Sequence, residues 1–116
     1  MNLDEIQKTV YDNKVAKGFN VTDVNMEFNL LYGEVAEAYE AWRKKKDDLG
    51  QELADIAIFL LGLSEILGFS LEEQIAKKVA INSGREYQMI NGVLYKKEEG
   101  FLENMTMTPD ANINTN

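Results

Sequence analysis

Two pairs of carboxylates have the spacing to do chemistry together: Glu34 with Glu37, and Glu52 with Asp55. A separation of three residues is close to one helical turn, so on a helix each pair projects from a single face. From Leu53 to Leu63 the chain reads Leu-Ala-Asp-Ile-Ala-Ile-Phe-Leu-Leu-Gly-Leu, apolar around the whole circumference, as expected inside a bundle or at a subunit interface. The face that carries Glu52 and Asp55 also carries Ile56, Phe59, Leu63 and Ile66. Unpaired ions buried on such a face are costly, so basic partners or metal ions must compensate, or the carboxylates must take up protons. Glu34 and Glu37 share a stripe with Glu27, Leu30 and Ala41 beside the apolar seam of their own helix, whereas Glu40 points away as solvated surface. Four converging carboxylates form a hard, all-oxygen set that suits Mg²⁺, with Mn²⁺ as substitute, rather than zinc or copper.

Composition narrows the chemistry further. The chain has 116 residues, enough for one domain, and 45% of them are hydrophobic, enough to fill a core. With no cysteine and no histidine, it lacks thiol nucleophiles, zinc–thiolate sites and the histidine of a Ser-His-Asp triad. A net charge of −8 argues against nucleic acid as a partner. The polar, acidic start MNLDEIQKTVYD has no apolar signal-peptide stretch, and the run Ile56–Leu63 is far short of the roughly 20 residues that span a bilayer. A cytoplasmic protein with no membrane contact is the expectation.

The elements that must position the carboxylates follow from the hydrophobic period. Residues 3–17 read as an amphipathic helix with Leu3, Ile6, Val10 and Tyr11 inward and Gly18 as its stop. Thr22 or Asp23 caps a second helix to about Lys46, with an apolar seam of Val24, Phe28, Leu31, Val35, Ala38, Tyr39 and Trp42. After Asp47, Asp48 and Gly50, a third helix runs from about Gln51 to Leu67 and closes at Gly68. Ser70 with Glu73 forms a capping box for a fourth, Leu71 to Glu86. The short loop makes helices two and three antiparallel neighbours, which brings Glu34 and Glu37 opposite Glu52 and Asp55. The Asn91-Gly92 pair between short apolar runs predicts a tight hairpin over about 88–97. The fold expected is all-α, an antiparallel bundle of about four helices with a C-terminal β-hairpin. Residues 1–103 form the single domain and 104–116 a loosely held polar tail.

These residues resemble the MazG-like family of all-α nucleoside triphosphate pyrophosphohydrolases. The family's mark is Glu-x-x-Glu followed after a gap by Glu-x-x-Asp. Here that is Glu34-Val-Ala-Glu37, fourteen intervening residues, then Glu52-Leu-Ala-Asp55. The flanking LLYGEVAEAYEAW and LGQELADIAIFLLGL, and the later Lys78-Val-Ala-Ile-Asn82-Ser-Gly-Arg85, extend the likeness over about residues 20–88. The resemblance implies Mg²⁺-dependent cleavage of a nucleoside triphosphate between its α and β phosphates, releasing the monophosphate and pyrophosphate. Glu34, Glu37, Glu52 and Asp55 would be the metal ligands and catalytic carboxylates, and a deoxynucleotide or modified nucleotide the substrate, as nucleotide-pool house-cleaning. Magnesium agrees with the charges, because four bare carboxylates would repel a triphosphate.

Lys78, Asn82 and Arg85 are spaced as one stripe of the fourth helix and suit phosphate and sugar oxygens, or equally a surface stripe paired with acidic neighbours. The run Arg43-Lys44-Lys45-Lys46 fans around its helix end and favours the helix dipole. Trp42, Tyr39, Phe19 and Phe59 can stack on a base or fill the core, and Trp42 joins Lys78, Asn82 and Arg85 as a candidate substrate contact. Ile58, Leu60 and Leu61 point away from the carboxylate stripe, and the hairpin lacks partners. A homodimer or a dimer of dimers would cover both, and the resemblance implies the same. The competing reading is a non-enzymatic helical interaction module whose carboxylates pair with basic residues of a partner.

Overall fold

The computed structural model describes residues 2–97 and 107–109. Four helices precede three strands: α1 (Leu3–Lys17), α2 (Val24–Arg43), α3 (Leu49–Leu67), α4 (Leu71–Ser83), β1 (Tyr87–Ile90), β2 (Val93–Lys97) and β3 (Met107–Pro109). The chain divides into two compact units, Met1–Ile75 and Ala76–Asn116, the boundary falling inside α4.

In the first unit the helix ends follow local capping chemistry. The Asn2 side-chain oxygen accepts from the Asp4 and Glu5 amides at 2.9 and 3.3 Å, satisfying two donors that the first turn of α1 leaves unpaired. Gly18 and Gly68 close α1 and α3 at φ +73° and +83°, a left-handed conformation that glycine adopts without a Cβ penalty. Asp23 caps α2 by accepting from the Met26 amide at 3.1 Å. The hydroxyl of Ser70 accepts from the Glu73 amide at 3.2 Å and donates to Asp4 at 2.6 Å. Helix α2 stops at Arg43, short of Lys46, because the chain turns through Lys45 at φ +54°.

Helix α3 packs against both α1 and α2. It meets α1 at Gly62, where an added Cβ would lie 3.3 Å from Lys14 Cδ and 3.4 Å from Val10 Cγ1. Leu61, Gly62 and Leu63 are all buried. Consecutive residues point in different directions, so this half of the helix is enclosed on several sides. Leu61 therefore belongs to the protomer's own core and not to an outward patch, whereas Ile58 and Leu60 do remain exposed.

Two polar residues complete the interior. Gln7 donates to Glu65 Oε1 (3.0 Å) and to the Phe69 carbonyl (2.6 Å), and accepts from the Leu71 amide (3.0 Å), joining α1 to both ends of the α3–α4 turn. Glu27, 1% exposed, is the most buried large side chain among the described residues. It pairs with Lys14 and accepts from Asn20 Nδ2 at 3.0 Å, and the Lys14 ammonium lies 5.4 Å from the Phe59 ring centroid.

The seam expected on α2 splits in two. The stripe turned inward is Val24, Glu27, Leu31, Glu34, Ala38 and Ala41. Phe28, Tyr32, Val35, Tyr39 and Trp42 form a second stripe that is 40–68% exposed. Hydropathy alone favours the aromatic stripe for burial. The stripe that is buried carries the small residues Ala38 and Ala41 instead, and with them Glu27 and Glu34.

In the second unit α4 ends at Ser83, before Gly84, so Arg85 does not extend the helical stripe of Lys78 and Asn82; its amide donates to the Asn82 carbonyl at 3.2 Å. The hairpin forms as expected, with Ile90 opposite Val93 and Asn91 and Gly92 at φ +50° and +78°, the two positive φ values of a type I′ turn. Strand β3 pairs antiparallel with β2, Tyr95 opposite Pro109. It falls within the stretch read as a loose tail, and its proline is tolerated because β3 is an edge strand. The rest of the expected tail, and the domain end at 103, lie outside the described residues.

Because Glu27 is buried, removing its cation leaves an uncompensated charge. Lys14→Met is expected to cost about 3–5 kcal/mol in urea unfolding, and adding Glu27→Leu to recover most of it. A cost below about 1 kcal/mol, the range of exposed pairs, would mean that the pair does not stabilise the first unit.

Candidate metal centre

The reversal between α2 and α3 sets the site. Glu34 and Glu37 lie one turn apart on α2, and Glu52 occupies the first turn of α3. One carboxylate oxygen from each of the three lies within 4.8 Å of the other two. Ligand oxygens sit about 2.0–2.1 Å from Mg²⁺, so two on one ion are at most about 4.2 Å apart. Small rotamer changes would bring the three oxygens within that span. Glu34 and Glu52 are half-buried and Glu37 is exposed, which leaves the group open to solvent on the Glu37 side.

The hydrogen-bonding state of these groups is informative. Glu34 Oε2, Glu52 Oε2 and Asp48 Oδ1 are buried oxygens without a hydrogen-bond partner, an uncommon condition in folded proteins. Burial pushes the Glu34 carboxyl above its ordinary 4.5, helped by the charges of Glu37 and Asp55, a hydrogen bond with Glu37, and Glu52. Burial also raises Glu52, followed by the charges of Asp48, Glu37 and Asp55, with Lys46 opposing. Asp55 thus acts on both residues while standing outside the close set of three.

Asp48 stands outside the close set but acts on Glu52 through its charge, which the sequence alone did not suggest. It holds the N-cap position of α3 but makes no capping hydrogen bond. An aspartate there reads as helix punctuation, and nothing in the spacing separates that role from a place beside Glu52.

The other candidates are distributed differently. Phe59 lies one turn beyond Asp55 on α3, and with Phe19, Lys14 and Asn13 it lines a cavity of about 360 Å³. A second cavity, of about 430 Å³, has Phe19, Asn20, Glu27 and Phe59 in its wall. Trp42 stands on the outer stripe of α2, 62% exposed and stacked on Tyr39 at 6.2 Å between centroids. At about 100° per residue it is some 80° round the helix from Glu34. In the second unit, Lys78 has its pKa pushed down by burial and then by the cations Arg85 and Lys96.

No family model, curated protein or solved structure matches the chain. Among the described residues no single helix is long and apolar enough to cross a membrane.

The raised carboxyls fix the sign of a pH effect. Between 4.5 and the raised values the folded state holds more protons than the unfolded one, so this contribution falls as pH rises. Metal-free Glu34→Gln and Glu52→Gln are expected to melt above the wild type in EDTA, the gap widening as pH rises through that window. A gap that narrows or reverses would show that the carboxylates hold the fold together as anions.

Proposed function

We propose that the chain is a Mg²⁺-dependent nucleoside triphosphate pyrophosphohydrolase that releases the monophosphate and pyrophosphate. The observation that carries this reading is the set of buried, partnerless carboxylate oxygens at Glu34 and Glu52, beside Glu37, on the packed faces of two helices. When bound, Mg²⁺ supplies positive charge for phosphate oxygens and lowers the pKa of a water it holds.

The chain's own residues divide the remaining work. Glu34, Glu37 and Glu52 hold the ion. Asp55, outside the close set, is the carboxylate available to accept a proton as water attacks the α-phosphorus and pyrophosphate leaves. With no cysteine or histidine in the chain, direct attack by water is the simplest route. The cavity with Phe19 and Phe59 in its wall lies one turn from Asp55, within the span of a nucleotide whose phosphates meet the metal. Two aromatic faces with nearby amides suit a nucleobase, and the substrate class is a canonical or modified deoxynucleoside triphosphate.

The alternative, a non-enzymatic helical module whose carboxylates pair with basic residues of a partner, starts from the same partnerless oxygens of Glu34 and Glu52 and predicts no divalent-metal dependence of stability and no pyrophosphate release.

The test is a panel of canonical and modified nucleotides incubated with protein and Mg²⁺, with monophosphate and pyrophosphate resolved separately. The two should appear in equal amounts. Glu52→Gln and Asp55→Asn should lower kcat by about 10²-fold or more while the helical circular dichroism persists. Release of inorganic phosphate alone, or no metal-dependent turnover with any nucleotide, would refute the assignment.

A further inference from the structure

Helices α1, α2 and α3 end in the same hydrogen-bonded turn, and α2 builds it from different residues. At the end of α1 the Gly18 and Phe19 amides donate to the Val15 and Lys14 carbonyls, and at the end of α3 those of Gly68 and Phe69 donate to Glu65 and Ser64. At the end of α2 the Lys45 and Lys46 amides donate to the Trp42 and Ala41 carbonyls at 3.1 and 2.9 Å. The first residue of each turn is left-handed, a conformation that glycine takes freely and that a Cβ makes costly. The second is frequently apolar. The chain thus uses Gly-Phe twice and Lys-Lys at the third turn, with Lys45 held at φ +54°. Ending a helix does not by itself call for that choice, because the same chain ends two others with glycine.

The turn gathers the basic run instead of letting it fan around the helix. Arg43, Lys45 and Lys46, with Ala41, Trp42 and Leu49, line a cavity of about 500 Å³ that has no carboxylate in its wall. Glu40 pairs with Arg43 at 3.2 Å and with Lys44 at 3.3 Å. Among the described residues Lys45 and Lys46 form no ion pair or side-chain hydrogen bond, and Lys46 acts on Glu40 and Glu52 through its charge. Asp47 and Asp48 follow in sequence but lie outside the wall. Such a cavity suits a small multivalent anion. A chain of net charge −8 repels a large anionic partner, whereas a short phosphate chain meets the local cations. Position narrows the choice. Leu49, Glu52, Asp55 and Phe59 follow one another along one face of α3 at intervals of 3, 3 and 4 residues, a stripe of about 15 Å, comparable to an extended nucleoside triphosphate. We propose that Lys45 and Lys46, with Arg43, hold the terminal phosphates of the substrate, whose phosphate chain runs toward the α2–α3 turn and whose base lies toward Phe59. The nucleotide in this proposal rests on the pyrophosphohydrolase reading; binding of a phosphate chain does not. As water attacks the α-phosphorus, the bond to the bridging oxygen breaks, and its electron pair leaves with pyrophosphate beside the two ammonium groups. Lys45 and Lys46 thereby select a triphosphate over shorter chains.

Tripolyphosphate tests this without metal or nucleoside. In EDTA at low salt it should bind the wild type saturably by calorimetry and shift the emission of Trp42, the sole tryptophan and part of the cavity wall. Pyrophosphate should bind more weakly and inorganic phosphate most weakly, and added salt should weaken all three. Lys45→Gly removes one ammonium and gives the left-handed position the residue it favours, so helical circular dichroism should persist. Combined with Lys46→Gln, it should weaken tripolyphosphate binding at least about tenfold and remove the Trp42 response. If the double variant loses helicity, Lys45→Gly alone decides by the same readings. No saturable heat with the wild type overturns the inference. So do an affinity and a Trp42 response unchanged in the folded variant, the result if cations near Lys78 bind the probe. Tripolyphosphate binding at Lys45 and Lys46 with no nucleotide turned over upholds the anion site and sinks the pyrophosphohydrolase reading. Nucleotide turnover with KM for the triphosphate unchanged in the variant does the reverse.

Discussion

The packing of α2 on α3 through a stripe that contains carboxylates is the constraint on which the rest of the molecule depends. Helix pairs of this length ordinarily close on apolar side chains. Here the inward stripe of α2 includes Glu27 and Glu34, with Ala38 and Ala41 supplying little bulk. The Lys14 and Asn20 contacts and the state of Glu52 bear on what those anions meet.

The two glutamates are answered in opposite ways. Glu27 receives everything a buried anion needs from the chain itself: the Lys14 ammonium and an amide donor from Asn20, whose side chain also organises the α1–α2 loop by accepting from the Thr22 and Asp23 amides. Glu34, seven residues further along the same stripe, has a buried oxygen that receives no donor, and Glu52 opposite it is in the same state. The contrast within one helix pair argues that the second condition is a site and not poor packing. At Glu34 and Glu52 one buried oxygen of each receives no hydrogen bond, and Lys46 acts on Glu52 only through its charge. Binding a metal there would reverse the sign of the local field, as an anionic phosphate requires.

Much of this was legible in the sequence, for reasons that can be named. Gly18, Gly68, Asp23, Ser70 and Asn91-Gly92 act locally, through left-handed φ or side-chain capping, so their elements appear where the residues place them. The pairing of Glu34 and Glu37 with Glu52 follows from spacing and a short loop. The choice of inward face on α2 does not, because the buried stripe carries Ala38, Ala41, Glu27 and Glu34 and is not the more apolar one. The end of α4 at Ser83, which removes Arg85 from the helix, turned on Gly84, a residue whose role depends on where the hairpin begins. The Lys14–Glu27 pair is a contact between elements, invisible to any local pattern, and Asp48 reads as helix punctuation. Strand β3 is too short to announce itself.

The central claim is that the partnerless oxygens of Glu34 and Glu52 await a divalent cation. Titration of the protein with Mn²⁺, followed by electron paramagnetic resonance of the free ion, measures this without reference to any substrate. The account predicts saturable binding that Mg²⁺ displaces, that Glu34→Gln/Glu52→Gln abolishes, and that Lys14→Met/Glu27→Leu leaves in place. Free Mn²⁺ signal undiminished by wild-type protein, or binding that survives loss of both Glu34 and Glu52 carboxylates, would contradict it.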